Sequence, residues 1–258
     1  MTIEKGGTRK QRIRKVTQAI KAEQEARQLV KKPSFDRDWH LDWFTPVGKQ
    51  NDIVESMDNN ELTIIKAVSG TGKSTTVLWK ALSEYKAGKY RQVWLVKNPT
   101  EVGDDQLGLL SGDKNTKLTS HIESMKTIFL QFMSKNKLEN DLSNGNIRID
   151  IPNYLLGMTI DSSVIILEEA QLMSPATIKL VSERAGEGSI VVVLGDPKQA
   201  YGIKKREDGL SDLIRRTTEE VDGETLSKFP DRVGFVQMKA DHNMRSNLSA
   251  FVTQLYEA

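Results

Sequence analysis

The sequence predicts an α/β fold, a parallel sheet with helices on both faces, and three observations predict it. Short continuous apolar runs, such as Val164-Ile165-Ile166-Leu167, alternate along the chain with helical patterns, as strands buried on both faces require. One such run, Leu62-Thr63-Ile64-Ile65-Lys66-Ala67-Val68, passes directly into a glycine turn and then a helix. Three of the runs end in polar clusters, at the edge of the sheet where folds of this kind bind ligands.

The central element is that first run and its turn. Its β-branched and aliphatic residues read as a buried strand. The turn, Ser69-Gly70-Thr71-Gly72-Lys73-Ser74-Thr75, has the spacing of a phosphate-binding loop, with Ala67 where the strict pattern has its first glycine. Gly70 and Gly72 let successive backbone N–H groups point inward as a nest for phosphate oxygens. A helix over Lys73–Lys86 directs its positive end at the same phosphates. Lys73 is placed to reach the β- and γ-phosphates, and Ser74 offers a hydroxyl to Mg²⁺. An ordinary glycine turn would not need strand, loop and helix in this order. This is a nucleotide site.

The other elements follow in order. A helix is expected near Asn51 to Met57, and Gln50 just before it has an amide that carries both donor and acceptor for an adenine edge. A second strand is expected at Arg91 to Val96, a helix at Leu118 to Met133 and a short strand at Ile147 to Ile151. The run at Ser163 to Leu167 ends in Glu168-Glu169. That is the place for one carboxylate to hold magnesium and the next to orient or deprotonate water. Ser174-Pro175 opens a helix with proline at its first position. A strand at Ser189 to Leu194 ends in Gly195-Asp196-Pro197-Lys198-Gln199, where Gln199 can sense the γ-phosphate or the attacking water. A strand at Val233 to Gln237 and a helix at Ser246 to Tyr256 close the chain. Met125, Phe129 and Met133 recur at fourfold spacing and are expected in the core.

Composition bounds the class. The chain has 258 residues, 28% charged and 38% hydrophobic, with no cysteine and three histidines. That excludes disulfides and thiolate metal sites, makes a histidine-rich one unexpected, and fits a reducing cytoplasm. No apolar run approaches the roughly 18 residues of a membrane span, and the basic N-terminus does not read as a secretory signal. The net charge of +2 conceals an asymmetry: residues 1–32 hold ten Lys or Arg against three Glu, leaving 27 basic and 32 acidic residues in the rest. A basic arm on an acidic body points to a polyanion partner. Two domains are therefore expected, an arm at 1–34 and an ATPase domain at 35–258. Ile13, Val16, Ile20 and Leu29 give the arm partial helical spacing, and a nucleic-acid-binding helix and a solvated tail both fit. Phe35, Trp39, Trp43 and Phe44 lie among aspartates, so packing is favoured for them over base stacking.

Taken together, the segments Ala67–Thr75, Pro99–Asp113, Glu168–Gln171, Gly195–Gln199 and Asn243-Met244-Arg245-Ser246 resemble the PhoH-like ATPases, relatives of superfamily-1 helicases reduced to one RecA-like domain. The resemblance covers about Pro46 to Tyr256. It implies a RecA-like P-loop NTPase fold, ATP and Mg²⁺ as cofactors, and an adenine-reading role for Gln50. Lys97-Asn98-Pro99 stands where the family has an Arg-Pro pair, and Glu168 where it usually has aspartate. The sequence thus predicts Mg²⁺-dependent ATP hydrolysis acting with RNA or single-stranded DNA, with Lys97, Lys114, Lys117 and Lys126 as candidate phosphate contacts. A regulatory or scaffold protein that binds ATP as a switch is the rival reading. A small-molecule kinase is disfavoured, because no acceptor lid is evident. With strands for only one RecA-like domain, a second copy would have to close the site, in a head-to-tail ring such as a hexamer. Arg245 and Arg184 are the candidate arginines across that boundary.

Overall fold

The computed structural model describes residues 37–98, 114–200 and 208–257. The chain divides into two units, Met1–Arg37 and Asp38–Ala258, and the second is described here. The basic arm and the Pro99–Asp113 motif lie outside the described residues.

The core is a six-stranded parallel sheet in the order β3-β2-β4-β5-β1-β8. Its strands are β1 (Leu62–Ala67), β2 (Gln92–Lys97), β3 (Ile147–Asp150), β4 (Ser163–Glu168), β5 (Ile190–Gly195) and β8 (Val233–Met238). Helix α1 (Lys49–Asn59) precedes β1, α2 (Lys73–Lys86) follows it, and α3 (Lys114–Phe129) and α4 (Lys135–Asn144) precede β3. Helices α5 (Pro175–Ser182) and α6 (Gly209–Thr217) lie on either side of β5 in sequence, and α7 (Asn247–Glu257) ends the fold. A small antiparallel hairpin, β6 (Thr218–Val221) and β7 (Glu224–Ser227), stands apart from the main sheet.

Successive residues in the apolar stretches of the strands serve different cores. Ile65, Leu95, Ile166 and Val192 pack with Ile53 of α1, Val77 and Leu82 of α2 and Phe129 of α3. Ile64, Trp94, Ile165 and Val193 pack on the opposite face with Ile178 and Val181 of α5 and Leu210 of α6. Each fully buried side chain of this size contributes about 1.5–3 kcal/mol. Met125, Phe129 and Met133 are all buried as expected, although the helix starts and ends four residues earlier than its periodicity suggests.

This two-sided cover sets where a ligand can enter. Parallel crossovers are right-handed, so connections that travel in opposite directions along the sheet cover opposite faces. The chain leaves β1 toward β2 over one face, and leaves β5 toward β8 over the other. The loops after β1 and β5, which are adjacent strands, therefore part at the carboxyl edge and leave a crevice.

Candidate nucleotide site

The phosphate loop occupies the tip of β1 at that crevice. Gly70 and Gly72 adopt φ +79° and +77°, the left-handed region that costs glycine nothing. Both also admit a neighbouring carboxamide. A Cβ at Gly70 would come within 2.5 Å of the Asn243 side chain, and one at Gly72 within 2.6 Å of Gln50 Nε2. Asn243 Nδ2 donates to the Ser69 carbonyl at 3.0 Å, and Met244 N donates to the Gly70 carbonyl at 2.8 Å. Gln50 Nε2 donates to the Thr71 carbonyl at 3.1 Å, while its Oε1 accepts from Val47 N at 3.1 Å. Two carboxamides therefore grip the loop, one at Gly70 and one at Gly72.

This gives Gln50 a different setting from the one its sequence position suggests. It is 3% exposed, with both ends of the amide engaged by backbone, so reading an adenine edge would require exchanging those partners. Thr71 is buried too, its hydroxyl donating to the Val68 carbonyl at 3.0 Å. Ser69, Gly70, Gly72, Lys73, Ser74 and Thr75 line the wall of a cleft of about 620 Å³, within the usual range for a small-molecule site.

Glu168, Glu169, Gln199 and Arg245 line the same cleft. Thus the tips of β1, β4 and β5 and the segment before α7 converge, as their motifs predict. Lys73 is pushed below the usual lysine range by burial, an effect opposed by Glu169, Asp196 and Glu168 and increased by Arg245. Its ammonium lies 3.4 Å from the Val68 carbonyl.

Glu169 has φ +53°, a left-handed conformation that is uncommon for a residue with a side chain. What holds it is Gln171, which is fully buried. Gln171 Nε2 donates to Glu169 Oε2 at 2.6 Å, and its Oε1 accepts from Asp196 N at 3.1 Å. A side chain at Gly195 would collide with that oxygen. Gln171 thus ties the end of β4 to the end of β5. Neither the link to Asp196 nor that of Asn243 to Ser69 follows from sequence spacing, because those partners lie far along the chain.

The remaining candidates separate. Arg245 belongs to its own chain's cleft. Arg184 follows α5 and precedes β5, and its carbonyl accepts from Ile160 N at 2.8 Å, placing it at the amino edge of the sheet. Its Nε is buried without a hydrogen-bond partner among the described residues, and Glu183 is 4.0 Å away. Lys97 ends β2 in register with Glu168. Lys126 pairs with Glu123 at 2.8 Å and Glu139 at 3.8 Å, so its charge is already matched. Lys114 and Lys117 sit in the first turn of α3, with their side chains outside the described residues. No described helix is long and apolar enough to cross a membrane.

A parallel sheet with a glycine loop and lysine at the tip of β1, facing carboxylates at the tip of β4, defines a P-loop nucleotide-binding fold of the ATPase type. Within that class the chain belongs to the PhoH-like protein family, whose model matches residues 46–257. It is 26% identical over 208 residues to a PhoH-like protein of Bacillus subtilis, covering 81% of this chain and 62% of that one. It is 23% identical over 209 residues to a PhoH-like protein of Synechocystis, covering 81% and 60%. With the protein PhoH of Escherichia coli it shares 26% over 197 residues, covering 76% and 52%. The chain therefore spans about half to three fifths of the length of these relatives.

Proposed function

We propose that this chain hydrolyses ATP with magnesium and couples the turnover to remodelling or unwinding of RNA or single-stranded DNA. The observation that carries the reading is the convergence of Lys73, Glu169, Gln199 and Arg245 on one cleft beside the phosphate loop. In that reading the Lys73 ammonium and the Arg245 guanidinium meet the negative charge that develops on the transferring phosphoryl group. Glu169 orients the attacking water and accepts its proton, with Gln171 holding the carboxylate in place. Gln199 hydrogen-bonds the γ-phosphate or the same water.

The donor chemistry suits magnesium. The Ser74 hydroxyl and the Glu168 carboxylate line the cleft together, and among the described residues no larger cluster forms a closed metal cage. Magnesium is commonly held in this way, by one or two protein oxygens, substrate phosphates and water. When bound, the ion would offset phosphate charge.

Nucleic acid would cross the carboxyl edge of the sheet, near Lys97 and the start of α3, with residues 1–34 as a further contact. Steady-state ATPase assays with and without single-stranded RNA and DNA, at two salt concentrations, test the coupling. Stimulation that fades with added salt is expected, since phosphate contacts release counterions. Turnover unchanged by either polymer at both salt concentrations would leave an ATP-driven switch.

A further inference from the structure

The cleft continues past the phosphate loop to an aromatic surface that phosphate chemistry does not use. Trp43 lines it, together with Thr45 and Val47, and is 56% exposed. Leaving so large a ring in water forfeits considerable burial, yet this ring is held on several sides. One face stacks on Phe132, with centroids 5.4 Å apart and planes 17° from parallel. The indole N–H donates to the Gln131 carbonyl at 2.8 Å. Phe44 meets Trp43 at 5.5 Å and 70°, and Phe132 at 6.2 Å and 86°. Those distances put Phe44 beside the two-ring stack, not over its outer face.

The segment bearing Trp43 is itself anchored. Ser134 N donates to the Asp38 carbonyl at 2.9 Å, and His40 N to the Phe132 carbonyl at 2.7 Å. Trp79 Nε1 donates to the Leu41 carbonyl at 3.2 Å. Among the described residues no ring covers the outer face of Trp43, a fixed π surface in the same cleft as the phosphate loop. Gln50 joins the segment after Trp43 to the loop, accepting from Val47 N and donating to the Thr71 carbonyl.

We propose that the outer face of Trp43 is the platform on which the base of the bound nucleoside triphosphate stacks. This rests on the nucleotide reading of the cleft and adds to it how the base is held. A pre-ordered ring loses little entropy on binding, and a stack acts on the face of the base, whatever the pattern on its edge. Adenine and guanine nucleotides should therefore depend on Trp43 alike.

Calorimetric titration of the full chain with magnesium tests this, using the β,γ-imido analogues of ATP and GTP and, as a base-free probe, inorganic tripolyphosphate. Trp43→Ala should weaken both nucleotides about tenfold and leave tripolyphosphate unchanged, and Trp43→Phe should restore most of the loss. Unchanged nucleotide affinity in Trp43→Ala would overturn the proposal, as would an equal loss for tripolyphosphate, which would mean a collapsed loop. A second readout needs no variant. In the wild-type chain the nucleotides, but not tripolyphosphate, should protect indole fluorescence from acrylamide, and protection by all three or by none counts against the stack. Tripolyphosphate binding as tight as nucleotide binding would remove the platform and keep the phosphate site. Binding of none of the three would remove the nucleotide reading itself.

Discussion

Gln171 donates its side-chain amide to the carboxylate of Glu169 across 2.6 Å, from a position fully closed to solvent. The other end of the same amide accepts the backbone N–H of Asp196. The carboxylate that would meet water is thereby joined to the strand end that leads to Gln199. Replacing Gln171 by leucine removes both bonds and strands a buried N–H. A stability loss of about 1–3 kcal/mol is expected, with kcat reduced about tenfold or more and KM little changed, as steady-state kinetics and thermal melting would report. An unchanged kcat in a destabilised variant would make Gln171 merely structural.

Gly70 and Asn243 form a second close relationship. Gly70→Ala would place a methyl group against Asn243 at a residue with φ +79°, so the phosphate loop must either shift or lose its Ser69–Asn243 hydrogen bond. Weaker binding of both ATP and tripolyphosphate is expected. Asn243→Ala, which only releases the loop, should have a smaller effect in the same direction. Calorimetry on the two variants checks the order.

The pH dependence follows from Lys73. Burial lowers its pKa from the ordinary value, and the charged form is the one that serves phosphate. Its charge is therefore lost as pH rises through the depressed value, earlier than for an exposed lysine. The profile of kcat/KM reports the free enzyme and should fall on its alkaline side below the usual lysine range. The kcat profile should fall at higher pH, because bound phosphates favour the ammonium. Coincident profiles would argue against Lys73 as the titrating group.

Whether Arg245 acts within one chain or across copies is testable by mixing variants. It lines its own chain's cleft, so Arg245→Ala should cost about 10³-fold in turnover, as for other arginines at this task. Mixing that variant with Lys73→Ala should restore nothing. Recovered activity on mixing would place the arginine across a subunit boundary, as a closed ring of copies would require.

Much of this was legible from local pattern, and the rest was hidden where pairing is long-range. The sheet strands, the Lys73–Lys86 helix and the proline-led start of α5 are written in apolar runs, loop glycines and a serine cap. Helix α4 has a thin apolar stripe that hides it from periodicity, although Ser134 caps its start and Gly145 its end. The apolar pattern does not signal the β6–β7 hairpin, although Asp222-Gly223 supplies the two positive φ values of its turn. Gln50, Gln171, Asn243 and Trp43 are harder. Motifs mark Gln50, Gln171 and Asn243, but spacing along the chain does not say that Thr71, Asp196 and Ser69 are their partners, or Phe132 that of Trp43.

The role proposed for Glu169 is to prime the water that breaks the γ-phosphate bond of ATP in this cleft. Phosphate release in a single turnover, compared between the wild-type chain and Glu169→Gln alongside ATP affinity, is the decisive measurement. The variant should bind ATP as tightly as wild type and release phosphate about 10²-fold more slowly. Release at the wild-type rate by Glu169→Gln, or no phosphate release by the wild-type chain with magnesium and nucleic acid present, would contradict it.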